Sequence, residues 1–264
     1  MVTIERRWPD PEVAKDLAEL RRQAPLTHCI TNRVADNFTA NVLLAVGASP
    51  AMIVTAEEAR GFATLARALL VNVGTITPPD AQAMEVAAAA AKAAGRPWVL
   101  DPVGAGALPY RTGIVKELLR HRPTIIRGNA SEILAVAGAA EGGGKGVEST
   151  AGSGEALPRA KELAAQLGAV LAVSGAVDYL TDGTEVVAVP GGHPSATRVT
   201  ATGCALGALM AALAGAGRSP LSAAVSASVV FKVAAERAAR GAAGLGSFAV
   251  AFLDELSRLG VDEG

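Results

Sequence analysis

Aromatic side chains are scarce: two Trp, two Tyr and five Phe make up 3% of the 264 residues. A core this poor in rings has to be filled with Ala, Val and Leu. Cysteine is nearly absent too. Cys29 and Cys204 stand far apart and no CxxC occurs, which removes a disulfide framework and a cysteine zinc site. The three histidines, His28, His121 and His193, lack metal-ligand spacing, and there is no HExxH. Net charge is −1 with no long basic block, so nothing supports nucleic-acid binding. The first residues, MVTIERRWPDPEVAKD, carry no apolar signal core. Val199 to Gly217 is uncharged, yet its Gly, Ala and Thr content reads as a buried helix rather than a membrane span. The expectation is a soluble, cytoplasmic protein with no membrane partner.

What is abundant is small and apolar. Half of the residues are hydrophobic and 29 are glycine, as in a compact chain with tight turns. Short apolar runs at Leu26–Ile30, Ala51–Val54, Leu69–Val73, Trp98–Asp101, Thr124–Arg127 and Ala169–Ser174 read as strands. Between them, Asp80–Ala94, Ile114–Arg120 and Glu155–Leu167 have helical spacing. Strand and helix in series predict an α/β fold whose mostly parallel sheet is covered by helices on both faces. Asp178–Val189 reads as a hairpin about Asp182-Gly183. Three helices follow, Cys204–Ala214, Pro220–Arg240 and Ser247–Leu259, the second with Ser219 as N-cap and Pro220 at its first position. Gly138–Gly154 reads as a Gly-rich mobile surface loop, and residues 1–264 as a single domain.

Ligands of open α/β sheets bind at the carboxyl ends of the strands, and several polar segments fall there. In VTATGCALGA (Val199 to Ala208) a strand-like stretch turns into a helix, and Cys204 sits where the helix begins. Free amides at a helix start attract anions, and the small Ala201, Thr202 and Gly203 would let a phosphate approach them. DPVGAG puts Asp101 at a strand end before two glycines. Asp101 could hold a Mg²⁺-bound water or a substrate group, with glycine amides open to phosphate, or it could simply cap a helix. In RGNASE, Arg127 suits bidentate phosphate binding; Asn129 and Glu132 form either a Mg²⁺-associated pair or a capping box. His28 and Cys29, adjacent in a strand, point to opposite faces and cannot form a local dyad. GGGKGVES around Lys145 is no Walker A loop, since Gly146 stands where Ser or Thr is required, and DPVGAGALP fails GxGxxG at Pro109.

Taken in order, PLTHCITNRVADNFTANVLLAVGASPAM (Pro25 to Met52), LLVNVGT (Leu69 to Thr75), VLDPVGAGALPYRT (Val99 to Thr112), IIRGNASEI (Ile125 to Ile133), KGVES (Lys145 to Ser149), VSGAVDYLTDG (Val173 to Gly183) and GHPSATRVTATGC (Gly192 to Cys204) resemble hydroxyethylthiazole kinases. The resemblance implies a three-layer α/β/α ribokinase-like fold. It also implies transfer of the ATP γ-phosphate, with Mg²⁺, to the primary hydroxyl of 4-methyl-5-(2-hydroxyethyl)thiazole, a step of thiamine salvage. Carried onto this chain, it puts Met52 and the backbone at Ala201 against the thiazole, and Arg127 and Ser174 against ATP. Asn129, with Thr202 and Gly203, joins the nucleotide site. Glu132 and Asp101 serve the metal, and Cys204 stands where most ribokinase-like kinases carry a catalytic Asp. A homotrimer with sites near subunit contacts is the family's habit.

Two departures stand out. The family usually reads GTGC where this chain has Ala201-Thr202-Gly203-Cys204, so a methyl group narrows the anion site while its amides stay intact. Ser174 stands where Thr is frequent and keeps the hydroxyl. A helix start can lower the Cys204 thiol below its free pKa of about 8.5 and give some thiolate at neutral pH, which a bound phosphate would oppose; Cys204 is expected to orient the substrate hydroxyl and to accept its proton late. The alternative from another reaction class is the ATP- or ADP-dependent NAD(P)H-hydrate dehydratase of the same fold. That family reads GTGD at the anion site, against which Cys204 argues.

Overall fold

A computed structural model describes residues 3–141 and 152–260. Nine strands, β1 (Ile4–Glu5), β2 (Leu26–Ile30), β3 (Ser49–Ala51), β4 (Ala68–Asn72), β5 (Trp98–Asp101), β6 (Ile125–Asn129), β7 (Val170–Ser174), β8 (Val177–Thr181) and β9 (Val186–Pro190), form one sheet. Their order is β1-β9-β8-β7-β6-β5-β4-β2-β3, and among them β8 alone runs against the rest. The central β4 and β5 are buried along their whole length. Both faces are covered, which is why they read as continuous apolar runs rather than alternating ones.

The helices are α1 (Pro11–Gln23), α2 (Asp36–Val46), α3 (Ala56–Leu65), α4 (Pro78–Ala93), α5 (Pro109–Leu119), α6 (Ala130–Ala140), α7 (Ser153–Leu167), α8 (Ser195–Arg198), α9 (Thr202–Gly215), α10 (Pro220–Gly241) and α11 (Leu245–Arg258). They divide between the two faces. One apolar cluster joins α1, α2, α9, α10 and α11 to the sheet; the other joins α3 to α7. The few rings are concentrated rather than spread. Phe231 and Phe248 pack on Phe252 with centroids 5.2 and 6.2 Å away, and Phe38 lies 6.3 Å from it. α9 is buried on nearly every side, as its lack of charge requires. It lies against β4 closely enough that a Cβ on Gly207 would stand 3.2 Å from Leu70 Cδ1.

The α/β architecture expected from the sequence is present, as is the hairpin: Gly183 takes φ +94°, and Asp182 Oδ1 accepts from the Thr184 and Glu185 amides at 2.8 Å. Ser219 caps α10, accepting from Ser222 N at 3.2 Å. Several expectations are corrected. β3 ends at Ala51 instead of beginning there, because it pairs with β2 through Ser49 to Ala51. The segment before the TGC motif is not a strand: α8 ends at Arg198, Val199 is extended, and α9 begins at Thr202, two residues ahead of Cys204. Gly138 lies in α6, while Ser153 and Gly154 lie in α7. The interior of the expected 138–154 loop, with Lys145, Gly146 and the KGVES stretch, falls outside the described residues. Among the described residues no helix is long and apolar enough to cross a membrane.

Candidate active site

The sheet register gathers the site. Asn72 pairs with Asp101 across β4 and β5, and Asn129 with Ser174 across β6 and β7. Asp101 is fully buried, and its Oδ2 accepts from Asn72 Nδ2 at 2.6 Å. Arg127 Nη1 lies 3.7 Å from the same oxygen, while Arg127 Nε donates to Ser174 Oγ at 3.1 Å. The Oδ1 of Asp101 has no hydrogen-bond partner among the described residues. Burial pushes this carboxyl up to about 7; Glu132's charge adds to the shift, and Arg127 and Asn72 oppose it.

A second branch runs from Asn72 to the thiol. Asn32 Nδ2 donates to Asn72 Oδ1 at 2.9 Å and to Cys204 Sγ at 3.3 Å. Asn72 Oδ1 also accepts from Gly74 N at 3.0 Å. Burial raises the Cys204 pKa, with Asp101 adding to the effect, while Asn32, Asn72 and Arg127 oppose it. The expectation of partial thiolate is therefore corrected. Desolvation and a neighbouring acid both disfavour the thiolate, and the sulfur stays protonated.

The backbone around Cys204 forms an anion-binding shape. Ala205 N makes the first intrahelical bond of α9, to Ala201 O at 2.9 Å. The amides of Thr202, Gly203 and Cys204 thus have no acceptor within the helix. Thr202 Oγ1 closes the preceding turn by donating to Val199 O at 2.9 Å. Gly203 lies flat on the Arg127 guanidinium, where a Cβ would come within 3.0 Å of Nη2. Ala201 takes φ +72°, the left-handed region that an L side chain enters at a cost of about 1–2 kcal/mol. The departure from glycine at 201 therefore strains the backbone as well as narrowing the approach.

A cavity of about 660 Å³ opens beside this helix start. Arg127, Ser174, Thr202 and Gly203 line one part, and Leu206, Phe231 and Ala235 give it an apolar floor. Four of the residues singled out from sequence thus meet in one cavity. Cys204 and Asp101 join them through the asparagine network. Met52 lies elsewhere: it is half-buried just past β3 and packs against the α9–α10 side of the core.

The Asn129–Glu132 pair forms the capping box of α6. Asn129 Oδ1 accepts from Glu132 N, and Glu132 Oε2 from Asn129 N, both at 2.9 Å. Glu132 Oε1 also accepts from Gly104 N at 3.1 Å, and Gly106 N donates to Thr112 Oγ1 at 2.8 Å. The DPVGAG amides expected to face phosphate are consequently used inside the protein. No group of three His, Cys, Asp or Glu that could hold a metal occurs among the described residues. His28 serves structure: its Nε2 bonds Ile53 O at 2.7 Å. The Cys29 thiol, pushed up to about 12 by burial, is inert at neutral pH.

Asn32 and Asn72 are the site residues that sequence reasoning missed. Both lie in stretches already noticed, but an asparagine at a strand end resembles any turn residue until the pairing of β4 with β5 puts it beside an acid.

The family model described as the hydroxyethylthiazole kinase family matches residues 17–262. A hydroxyethylthiazole kinase of Leptospira interrogans is 55% identical over 98% of both chains. One from Shigella boydii is 50% identical over 93% of this chain and 94% of its own. The solved structure of a hydroxyethylthiazole kinase protein from Pyrococcus horikoshii covers 94% of this chain and 93% of its own, at 40% identity and a TM-score of 0.87. A ribokinase-like superfamily protein from Enterococcus faecalis, 11% identical with a TM-score of 0.64, shares the fold. With the nine-stranded sheet and the strand-end network, these likenesses show that the chain belongs to the hydroxyethylthiazole kinase family.

Proposed function

We propose that the chain phosphorylates the primary hydroxyl of 4-methyl-5-(2-hydroxyethyl)thiazole with ATP as donor. The observation that carries this is the meeting of the cavity with the unpaired amides of α9, where Arg127 lies across Gly203. Phosphoryl transfer needs charge neutralisation and alignment more than covalent help. The nucleotide lies in the cavity with its phosphates toward Arg127, Ser174 and the amides of Thr202 and Gly203. The thiazole approaches from the Met52 side, past the backbone of Ala201, so that its hydroxyl meets Cys204. Asn32 fixes the sulfur, the neutral thiol orients the hydroxyl, and the hydroxyl proton passes late to an oxygen of the phosphoryl group it is joining.

Asp101 fits a hydrated divalent cation, and Glu132, whose two oxygens already accept the Asn129 and Gly104 amides, would act on it through bound water. The unpartnered Oδ1 of Asp101 is an acceptor left over by the protein, and Mg²⁺ takes one or two carboxylates beside waters and substrate phosphates. When bound, Mg²⁺ supplies positive charge to the phosphates. Asn129 keeps Glu132 in place from the α6 cap. A homotrimer belongs to the same reading; exposed Leu44 and Val54, before and after the edge strand β3 in the chain, offer apolar surface for a contact between subunits.

The test is ADP release from Mg-ATP with and without the thiazole alcohol, with the product identified by mass. Thiazole-dependent ADP together with phosphothiazole is the expected result. Nucleotide binding without that product would refute the assignment.

A further inference from the structure

The walls of the cavity are two short connections. One joins β7 to β8 through Gly175 and Ala176; the other follows β9 at Gly191 and Gly192. Both are fastened to one face of α10. Lys232 Nζ donates to Gly175 O at 2.8 Å and to Ala176 O at 3.1 Å, and it lies 3.1 Å from Asp178 Oδ1. Asp178 Oδ1 in turn accepts from Gly175 N at 2.9 Å. The lysine stem runs under the second wall, where a Cβ on Gly192 would come 3.0 Å from Lys232 Cδ. One helical turn later, Glu236 Oε1 accepts from Gly192 N at 2.8 Å.

An ammonium has three N–H groups, and here each has a protein oxygen within reach. Its side chain is only 13% exposed. Lys232 therefore lines the cavity without a proton to offer a phosphate. Its effect on a ligand has to pass through the walls, and the first wall continues directly into Ser174, the partner of Arg127.

We propose that Lys232, with Glu236, is a positioning residue that holds the two walls at the spacing a nucleotide needs, and so sets ATP affinity without touching ATP. This rests on the reading of the cavity as the nucleotide site. The thiazole side, reached through Cys204 and Met52, shares none of these contacts.

The experiment is steady-state kinetics of the full-length enzyme with both substrates varied, comparing wild type with Lys232→Met. KM for ATP should rise about tenfold, with KM for the thiazole within about twofold and kcat within about threefold. Asp178→Asn, which leaves Lys232 its two carbonyls, should give a smaller rise in the same constant. If Lys232→Met does not fold, Glu236→Ala tests the second wall with the same expected split. A folded variant with unchanged KM for ATP overturns the inference, as does a parallel rise in both KM values. Wild type that turns over no thiazole would sink the kinase assignment along with it, whereas normal wild-type turnover with insensitive variants would sink the positioning role alone.

Discussion

Ala201 carries one methyl group in a backbone conformation that suits glycine. Ala201→Gly removes a left-handed cost of about 1–2 kcal/mol and adds back about 0.5–1 kcal/mol of chain entropy. The net expectation is a gain of between about zero and about 1.5 kcal/mol in denaturant titrations. A loss of stability would mean that the methyl group's packing outweighs the strain. At Cys204 burial also fixes the direction of an effect. A neutral thiol is a poor base, so Cys204→Ala should lower kcat by about tenfold, short of the 10²–10⁴ a matched base contributes. A drop of a thousandfold or more in pre-steady-state kinetics would instead require an ionised sulfur.

Among the elements, α9 is the most constrained, since glycine lets it touch the sheet. Gly207→Ala would press a methyl group against Leu70 and lift the helix from β4 by tenths of an ångström, at about 1–3 kcal/mol. Because the same helix carries Gly203 and Cys204, thermal melting and kcat should fall together in this variant. Unchanged melting would show that Leu70 has room to move. Elements of this kind were legible where local chemistry suffices: Asp182-Gly183 makes a hairpin, and Ser219-Pro220 starts a helix. The start of α9 was legible only to within two residues, because a left-handed alanine cap carries no sequence signal that marks it. β1 was missed for another reason. Its two residues are exposed and held by pairing with β9, some 180 positions along the chain.

For the molecule as a whole, two buried groups pull pH stability in opposite directions. Asp101 has its folded pKa raised to about 7, so its contribution is full below the unfolded value of about 3.9 and is lost as pH rises through 7. Burial lowers the pKa of His28, so the unfolded chain binds its proton more readily and stability falls as pH drops below the unfolded value of about 6.5. Removing one should expose the other. Asp101→Asn should gain more stability over wild type at pH 8 than at pH 5, and its own unfolding free energy should decline on acidification below about 6.5. Denaturant curves at the two pH values check both; a pH-independent difference between the proteins would contradict the burial argument. These effects could not be read in advance. Asp101 and His28 were visible as residues, but their environments depend on which strands become neighbours.

The single reversed strand carries a further consequence. Since β8 runs backward and β9 forward again, both walls of the cavity emerge at one end of the sheet, while the turn of Asp182 to Glu185 is sent to the other. Asp182, Thr184 and Glu185 are exposed there. The exposed side chains of that turn can therefore carry a label a full strand's length away from the chemistry the sheet supports, while Gly183, pressed on Ala165, fixes the path of the turn itself.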